Sequence, residues 1–294
     1  MRSRLESVID EVGEEELHNT VMRSIVGVGY LATHPHTGKR IYGHVSGFLI
    51  SVEGTWFFIT AGHVITDLEE GFKQGYTIDQ WHIDDSGMAS TEQQRIPFPF
   101  PFTRVDTVVM DDEAERDYAA IRIKSLFRDL LQKNGKAAMA EDQWSAEPWQ
   151  NGPPFDVLAY CLVGVPSEQV SQTDPDDPFL IQKSVAFLEI IPMERPILQR
   201  GKTNELTLYG KIQEDLTDEK AGITLESIKG MSGGPFLAQG VGTDHTLKTA
   251  VVAVQSSWIK SERVVIGYKI SSFGDFLRRH KAELEIGGAW IPNE

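Results

Sequence analysis

Apolar residues recur with helical spacing near the two ends of the chain and form short β-type runs between them. This pattern predicts a helix at each end and a β-rich region in the middle. Residues 4–22 carry apolar side chains at roughly helical spacing, which predicts an amphipathic N-terminal helix. From residue 24 onward the apolar residues form short β-branched and aromatic runs: "SIVGVGYLAT", "HVSGFLISV", "TWFFITAGHVI", "WHIDD" and "TVVMDD". The turns "THPHTGK" and "VEGT" separate the first of these runs as hairpin turns do, so this half is predicted to be antiparallel β.

A second β-rich series follows a break in the middle of the chain. The strand "DYAAIRI" is followed by "SLFRDLLQKNG", which predicts a short helix that ends at Gly135. The stretch up to residue 155 combines polar residues, Pro and Gly without periodicity, as a linker does. The second series of runs then leads to "SSFGDFLRRHKAEL", predicted to be a helix capped by Ser271 or Ser272. Many short strands in two series favour two closed β-barrels over one open sheet.

These patterns divide the chain into five parts. The predicted parts are an N-terminal helical extension (1–23), a first barrel (24–140), a linker (141–155), a second barrel (156–272), and a C-terminal helix and tail (273–294). The alternating Pro and Phe residues over 96–102 predict an extended insertion loop that lies on the first barrel, and a ligand for a groove is the alternative.

Net charge and cysteine content indicate which binding partners and which cellular compartment to expect. With 28 Lys and Arg against 43 Asp and Glu, the net charge of −15 repels phosphate backbones and anionic membranes, so neither nucleic acid nor a membrane is expected as a partner. The single cysteine, Cys161, lies in the apolar run "VLAYCLVGV" and is predicted to pack as a small apolar side chain. The acidic N-terminal residues fit neither a signal peptide nor a membrane span, and we therefore expect a cytoplasmic protein.

The segment "GMSGGP" over 230–235 is either a plain turn or a nucleophile loop built around Ser232. A nucleophilic serine needs a base, and His63 is the candidate because it follows an apolar strand beside two small residues. A carboxylate would fix the tautomer of that imidazole, and Asp117 is the candidate because it opens the apolar strand "DYAAIRI". Its rivals are three acids in a more polar setting: Asp106, Asp111 and Asp112.

The segments "TAGHV", "DYAAI" and "GMSGGP" together resemble the signature segments of trypsin-like serine peptidases of the chymotrypsin fold, especially disulfide-free bacterial members. The resemblance extends over roughly residues 24–285. It implies two six-stranded antiparallel β-barrels and a triad of His63, Asp117 and Ser232. It also implies an oxyanion hole made by the backbone N–H groups of Gly230 and Ser232.

The order of the three segments decides against a second interpretation of "GMSGG", the nucleophile elbow of α/β-hydrolases. In that fold the serine precedes the acid and the histidine. After Ser232 only His245 and His280 remain, and neither follows a well-placed acid. The order His63, Asp117, Ser232 is that of the β-barrel peptidases.

Two positions depart from the pattern of peptidases that are activated by cleavage. Met231 stands where those relatives have an aspartate that pairs with a new N-terminus. The segment "RSIVGVG" mimics an activation site after Arg23, but without the partner acid we interpret Ile25 and Val26 as a first barrel strand. Activity is therefore predicted to need no N-terminal cleavage, or to be controlled by a partner.

The remaining site predictions concern substrate and metal. Glu226 would favour Arg or Lys in a substrate if it lies buried at the base of a specificity pocket, and is otherwise a solvated loop acid. The strand "AVVAVQSSW" resembles the one that pairs with an extended substrate, which makes Gln255, Ser256 and Ser257 weak candidates for the wall of the cleft. No metal or other cofactor is expected, because nothing near the histidines of "THPHTG" completes a ligand set.

The predicted function is a serine endopeptidase that cleaves protein or peptide substrates through an acyl-enzyme, with a regulatory protein partner as a further possibility. The alternative is a binding or signalling module that keeps the fold while its cleft is closed or grips a ligand. The polar insertions and the acidic N-terminal segment motivate this alternative.

Overall fold

The computed structural model describes the chain in segments. They cover residues 13, 21–84, 98–99, 107–112, 116–145, 155–172, 181–194, 206–212, 217–218, 223–244 and 246–285. Nearly all of the predicted N-terminal helix lies outside them, as do Asp106 and most of the segment 96–102.

The first half of the described chain forms one antiparallel sheet. Its strands are β1 (Ile25–Thr33), β2 (Arg40–Val52), β3 (Thr55–Thr60), β4 (Thr77–Asp84), β5 (Phe98–Pro99), β6 (Thr107–Asp112) and β7 (Arg116–Ile123). Their order across the sheet is β5-β4-β1-β2-β3-β7-β6. The predicted turn "VEGT" joins β2 to β3, and Glu53 and Gly54 both have positive φ angles (47° and 82°), as a two-residue type I′ hairpin turn requires.

The second half is built around a closed barrel. The strands here are β8 (Asp156–Gly164), β9 (Val170–Gln172), β10 (Ile181–Lys183), β11 (Ala186–Met193), β12 (Thr207–Ile212), β13 (Thr217–Asp218), β14 (Ile223–Thr224), β15 (Pro235–Val241), β16 (Leu247–Ile259) and β17 (Val264–Lys269). Six of them close in the order β11-β12-β17-β16-β15-β8, while β9 with β10 and β13 with β14 form separate two-stranded ribbons. A short 3₁₀ turn at Ser167–Gln169 follows β8.

The predicted fold class is confirmed. The chain is mostly β, with two antiparallel sheets and a few helices, and it is consistent with the two-barrel architecture of the chymotrypsin fold. The first sheet differs from the predicted closed six-stranded barrel in two details. Its described strands form an open sheet with β5 and β6 at the edges, and the two-residue strand β5 adds a seventh strand. That strand is the described part of the Pro-Phe segment, and its backbone is extended as predicted.

Four helices are described: α1 (Gly62–Lys73), α2 (Ser125–Lys133), α3 (Glu141–Trp144) and α4 (Ile270–Glu285). The prediction for α2 is confirmed, and Gly135 just beyond it has a φ of +78°, as expected of a helix-terminating glycine. The C-terminal helix is confirmed as α4, but the predicted cap at Ser271 or Ser272 is wrong, because α4 begins at Ile270 and both serines lie within its first turn. The prediction that the strand of β3 continues through "AGHVI" is wrong, because α1 begins at Gly62. Ile65 and Leu68 are buried one helical turn apart, and this spacing outweighs the β-branched composition.

Apolar residues form a core within each sheet and a third core between them. The third core takes Phe48 from β2, Cys161 from β8 and Phe273 from α4, so it packs both sheets and the last helix together. Cys161 is fully buried as predicted, and burial raises the pKa of its thiol. A hydrogen bond also joins the two sheets: the hydroxyl of Tyr118, on β7, donates to the carbonyl of Lys269, on β17, at 2.7 Å. None of the helices in the described ranges is long and apolar enough to cross a membrane.

Candidate active site

His63 and Asp117 meet where two neighbouring strands of the first sheet bring them together. His63 lies in the first turn of α1, directly after β3, and β3 pairs with β7, which carries Asp117. The Nδ1 of His63 is 2.7 Å from one carboxylate oxygen of Asp117, and the backbone N–H of His63 donates to the other oxygen at 2.7 Å. That N–H is one of the donors that the start of a helix leaves without an internal partner. The carboxylate therefore fixes both the ring and the helix that carries it.

Asp117 is held in its charged form. It is only 7% exposed, and this burial alone would raise its pKa. The hydrogen bonds and charge of His63, together with a hydrogen bond from Ser256, outweigh the burial and leave the pKa of Asp117 below its ordinary value. An ionised carboxylate only accepts, so the proton between the two side chains resides on Nδ1 of His63. The Nε2 of a neutral His63 is then free of a proton and can act as a base.

Ser256 connects the acid to the predicted nucleophile. Its hydroxyl donates to Oδ2 of Asp117, the oxygen that the ring Nδ1 of His63 contacts. Its backbone carbonyl accepts a hydrogen bond from the hydroxyl of Ser232 at 3.2 Å. Ser256 lies on β16, so its contact with Asp117 crosses from the barrel to the first sheet. Ser256 thus contacts Ser232 through its carbonyl and Asp117 through its hydroxyl, and Asp117 in turn binds His63. Among the described residues the hydroxyl of Ser232 donates to Ser256 and not to His63. Ser256 was predicted only as a candidate for the wall of the cleft, and its contact with Asp117 was not predicted.

The loop before Ser232 has three consecutive carbonyls that all accept hydrogen bonds. Lys229 O accepts from the N–H of Ser167 at 2.7 Å, Gly230 O from the hydroxyl of Ser46 at 2.8 Å, and Met231 O from the N–H of Gly234 at 2.8 Å. Peptide bonds in the described chain are trans, so each N–H points away from the carbonyl of its own peptide group.

The N–H groups of Gly230 and Ser232 are therefore turned away from these contacts. Within the described residues neither donates to an acceptor, whereas the Met231 N–H between them donates to Ile228 O at 3.1 Å. Two N–H donors two residues apart and free to bind form a site suited to an oxyanion.

Glycine is required at two positions of this loop. Gly233 has a φ of +89°, and a Cβ on it would lie 2.0 Å from the hydroxyl of Thr60 and 2.5 Å from the carbonyl of Ser46. Gly230 has a φ of +93°, and a Cβ there would lie 2.3 Å from the hydroxyl of Ser167. Positive φ and close approach both exclude a side chain. Thr60 is the last residue of β3, which leads to His63. The close packing of Gly233 on Thr60 therefore places the Ser232 loop next to the segment that carries His63.

Met231 anchors the loop by apolar packing. It is fully buried and belongs to the barrel core together with Leu225 and Ile228. The interpretation of Ile25 and Val26 as strand residues is confirmed, since both are buried in β1. The loop before Ser232 is therefore anchored by the burial of Met231, and it has no carboxylate at that position.

The weaker predictions have mixed outcomes. Glu226 is exposed, and its backbone N–H donates to the carboxylate of Glu168 at 2.9 Å, so the buried carboxylate that the Arg or Lys preference required is not formed. The backbone N–H and carbonyl of Gln255 are both used on the nucleophile loop, with Gly234 O and Gly233 N at 2.8 Å each. Ser257 is exposed.

The structure also describes two of the three rival acids and the turn that carries His34 and His36. Of Asp111 and Asp112 the backbone is described, as the end of β6. The ring Nδ1 of His34 lies in the exposed first hairpin turn and accepts from the backbone N–H groups of His36 and Thr37 at 3.2 and 3.3 Å. Across the described ranges no three His, Cys, Asp or Glu side chains are grouped to hold a metal ion.

Comparison with known proteins yields distant structural likenesses. No family model and no curated protein matches the sequence. Among solved structures, an inactivated protease paralogue, S-I1, of the scabies mite is similar with a TM-score of 0.47 and 14% identity over 90% of this chain and 96% of that one. The catalytically active tobacco etch virus protease, complexed with product, is similar with a TM-score of 0.41 and 13% identity over 90% and 81%. One is inactivated and one active, and at this distance neither carries an argument about catalysis.

Proposed function

We propose that the chain is a serine endopeptidase that hydrolyses peptide bonds of protein substrates through Ser232, His63 and Asp117. The observation that supports this most is the arrangement in which Asp117 binds His63 and the hydroxyl of Ser256, while the carbonyl of Ser256 binds the hydroxyl of Ser232. It combines an ionised, buried acid, a histidine held in the tautomer of a base, and a serine hydroxyl beside two free N–H donors. A glycine-rich surface turn has no need of such an arrangement.

In the proposed reaction the hydroxyl of Ser232 first turns from the carbonyl of Ser256 toward Nε2 of His63. Oγ of Ser232 then attacks the substrate carbonyl while Nε2 of His63 takes its proton. The charge that develops on the carbonyl oxygen is met by the N–H groups of Gly230 and Ser232, and Asp117 stabilises the imidazolium. The tetrahedral intermediate then breaks its C–N bond, and His63 returns the proton to the leaving amine. This leaves an ester on Ser232. Water, activated by His63, attacks that ester by the same route and releases the acid and the free serine.

The experiment that tests the proposal uses a fluorophosphonate, which phosphonylates an activated serine. We expect labelling of the full chain at Ser232, and no labelling of the Ser232→Ala variant. The matched control is Ser51→Ala, which removes another half-buried serine hydroxyl, on β2. Labelling that persists in Ser232→Ala would refute the assignment of the nucleophile.

A second readout tests whether proteins are substrates. The cleaved N-termini of cells that carry the wild-type chain are compared with those of cells that carry Ser232→Ala. Cleavages that disappear in the variant support an endopeptidase and reveal its residue preference. A chain that reacts with no probe and changes no N-termini would favour the alternative of a binding module.

A further inference from the structure

The hydroxyl of Ser46 connects the first sheet to the nucleophile loop. Ser46 lies on β2, is 2% exposed, and donates from Oγ to Gly230 O at 2.8 Å. The same oxygen accepts the N–H of Val165 at 3.1 Å. The carbonyl of Val165 is 3.5 Å away, a much longer contact, so the hydroxyl proton belongs to Gly230 O. A buried hydroxyl on one sheet thus uses both its donor and its acceptor on backbone of the other half of the chain.

This contact differs in kind from the other two that hold the loop. Lys229 O and Met231 O are held by backbone N–H groups, and both partners lie in the second half of the chain. Gly230 O is held by a side chain 184 positions away. Gly230 is also the residue whose backbone rotates with least steric cost, so its peptide group depends most on an external partner.

Rotation of that peptide group would change the candidate oxyanion site. The carbonyl of Gly230 and the N–H of Met231 form one peptide group, which Ser46 and Ile228 O hold at its two ends. This group joins the peptide groups that carry the N–H donors of Gly230 and Ser232. Releasing it from Ser46 would loosen the orientation of one donor relative to the other. Met231 offers no carboxylate that could hold the loop by charge, and its contribution is the burial of its side chain.

We propose that Ser46 is a positioning residue that keeps the N–H groups of Gly230 and Ser232 available together. The inference rests on the proposed function and deepens it. The loop is held from the first sheet by a neutral hydroxyl, so the oxyanion site forms without a charged partner for position 231. Cleavage near Ile25 is not needed to form it.

The test compares Ser46→Thr with Ser46→Val in the full chain, because these side chains have nearly the same shape and only threonine has the hydroxyl. We expect Ser46→Val to be labelled by the fluorophosphonate about tenfold more slowly than Ser46→Thr, which corresponds to one buried hydrogen bond of ordinary strength. The pH at half-maximal labelling should be the same in both, because the contact between His63 and Asp117 is untouched. Equal labelling rates, or a shifted midpoint, would overturn the proposal.

A control separates positioning from loss of stability. Ser24 is also buried, at 3% exposure, and its hydroxyl donates to Val21 O at 3.0 Å, away from the loop. Ser24→Ala should be labelled at the wild-type rate. If it is slowed as much as Ser46→Val, the effect is one of general stability and the proposal is wrong.

Hydrogen exchange gives a readout that does not depend on any reaction. The N–H groups of Met231 and Gly234 are hydrogen bonded within the loop, and we expect them to exchange at least about tenfold faster in Ser46→Val than in Ser46→Thr. Equal exchange would overturn the role of Ser46 even in a chain that fails to react. A wild-type chain that is not labelled, with the exchange difference present, would refute the proposed peptidase and leave Ser46 as the residue that holds the loop.

Discussion

Replacing Asp117 with asparagine tests the chemistry of the site with the smallest change in shape. Asp117 accepts three hydrogen bonds: two from His63, through N and Nδ1, and one from the hydroxyl of Ser256. Asparagine has one acceptor oxygen. If that oxygen keeps the contact with the backbone N–H of His63, the amide NH₂ faces Nδ1 and drives the ring to the other tautomer. Nε2 then carries the proton and cannot accept one from Ser232.

The expected loss follows from the tautomer. In a serine, histidine and aspartate triad, this substitution lowers turnover about 10⁴-fold while the geometry stays intact, equivalent to ~5.4 kcal/mol of barrier. We therefore expect the rate constant for fluorophosphonate labelling of Asp117→Asn to fall by about this factor. Loss of a hydrogen bond alone, without the change of tautomer, would cost nearer to tenfold.

The assay measures the second-order rate constant of labelling at Ser232, with folding checked by circular dichroism. Asp129→Asn is the matched control, because Asp129 is an exposed acid on α2. It should react at the wild-type rate. Labelling of folded Asp117→Asn at the wild-type rate would refute the idea that Asp117 sets the tautomer of His63.

Two further predictions concern stability. Gly233→Ala should lose at least ~3 kcal/mol of unfolding free energy in urea titrations, from its positive φ and the overlap with Thr60 and Ser46. Gly38→Ala, at a φ of +66° with no atom within 4 Å of the new Cβ, should lose only about 1 kcal/mol, and equal losses would contradict the packing argument. The lowered pKa of Asp117 means that its charged form stabilises the fold, fully above its ordinary value of 3.8 and progressively less as the pH falls through the lowered folded pKa. The stability of wild type over Asp117→Asn should therefore shrink in acid, and a difference that does not change with pH would disprove this.

The parts of the site that the sequence predicted carry local signals. Ser232 stands among glycines, His63 follows an apolar strand, and Asp117 opens one, and each of these settings is visible within a few positions. The hairpin turns and the glycine after α2 were predictable for the same reason, since turn chemistry is local. The course of α1 was also visible, in the spacing of Ile65 and Leu68, but the β-branched residues of "HVIT" obscured it.

The contacts that were not predicted join distant positions. Ser256 and Asp117 are 139 positions apart, and Ser46 and Gly230 are 184 apart. The sequence around a buried serine in a strand is the same whether its hydroxyl binds a residue a few positions away or a residue on another sheet. Its partner depends on how the two sheets pack, which the pattern of apolar residues does not specify.

In the proposed peptidase, the contacts of Ser256 with Ser232 and Asp117 make the reactivity of Ser232 depend on how the two sheets are aligned. A small slide of the barrel against the first sheet would separate Ser256 from Asp117 and Gly230 from Ser46, while the hydrogen bonds within each sheet stayed intact. The last helix, α4, packs into the shared core of both sheets, so its packing helps to hold this alignment.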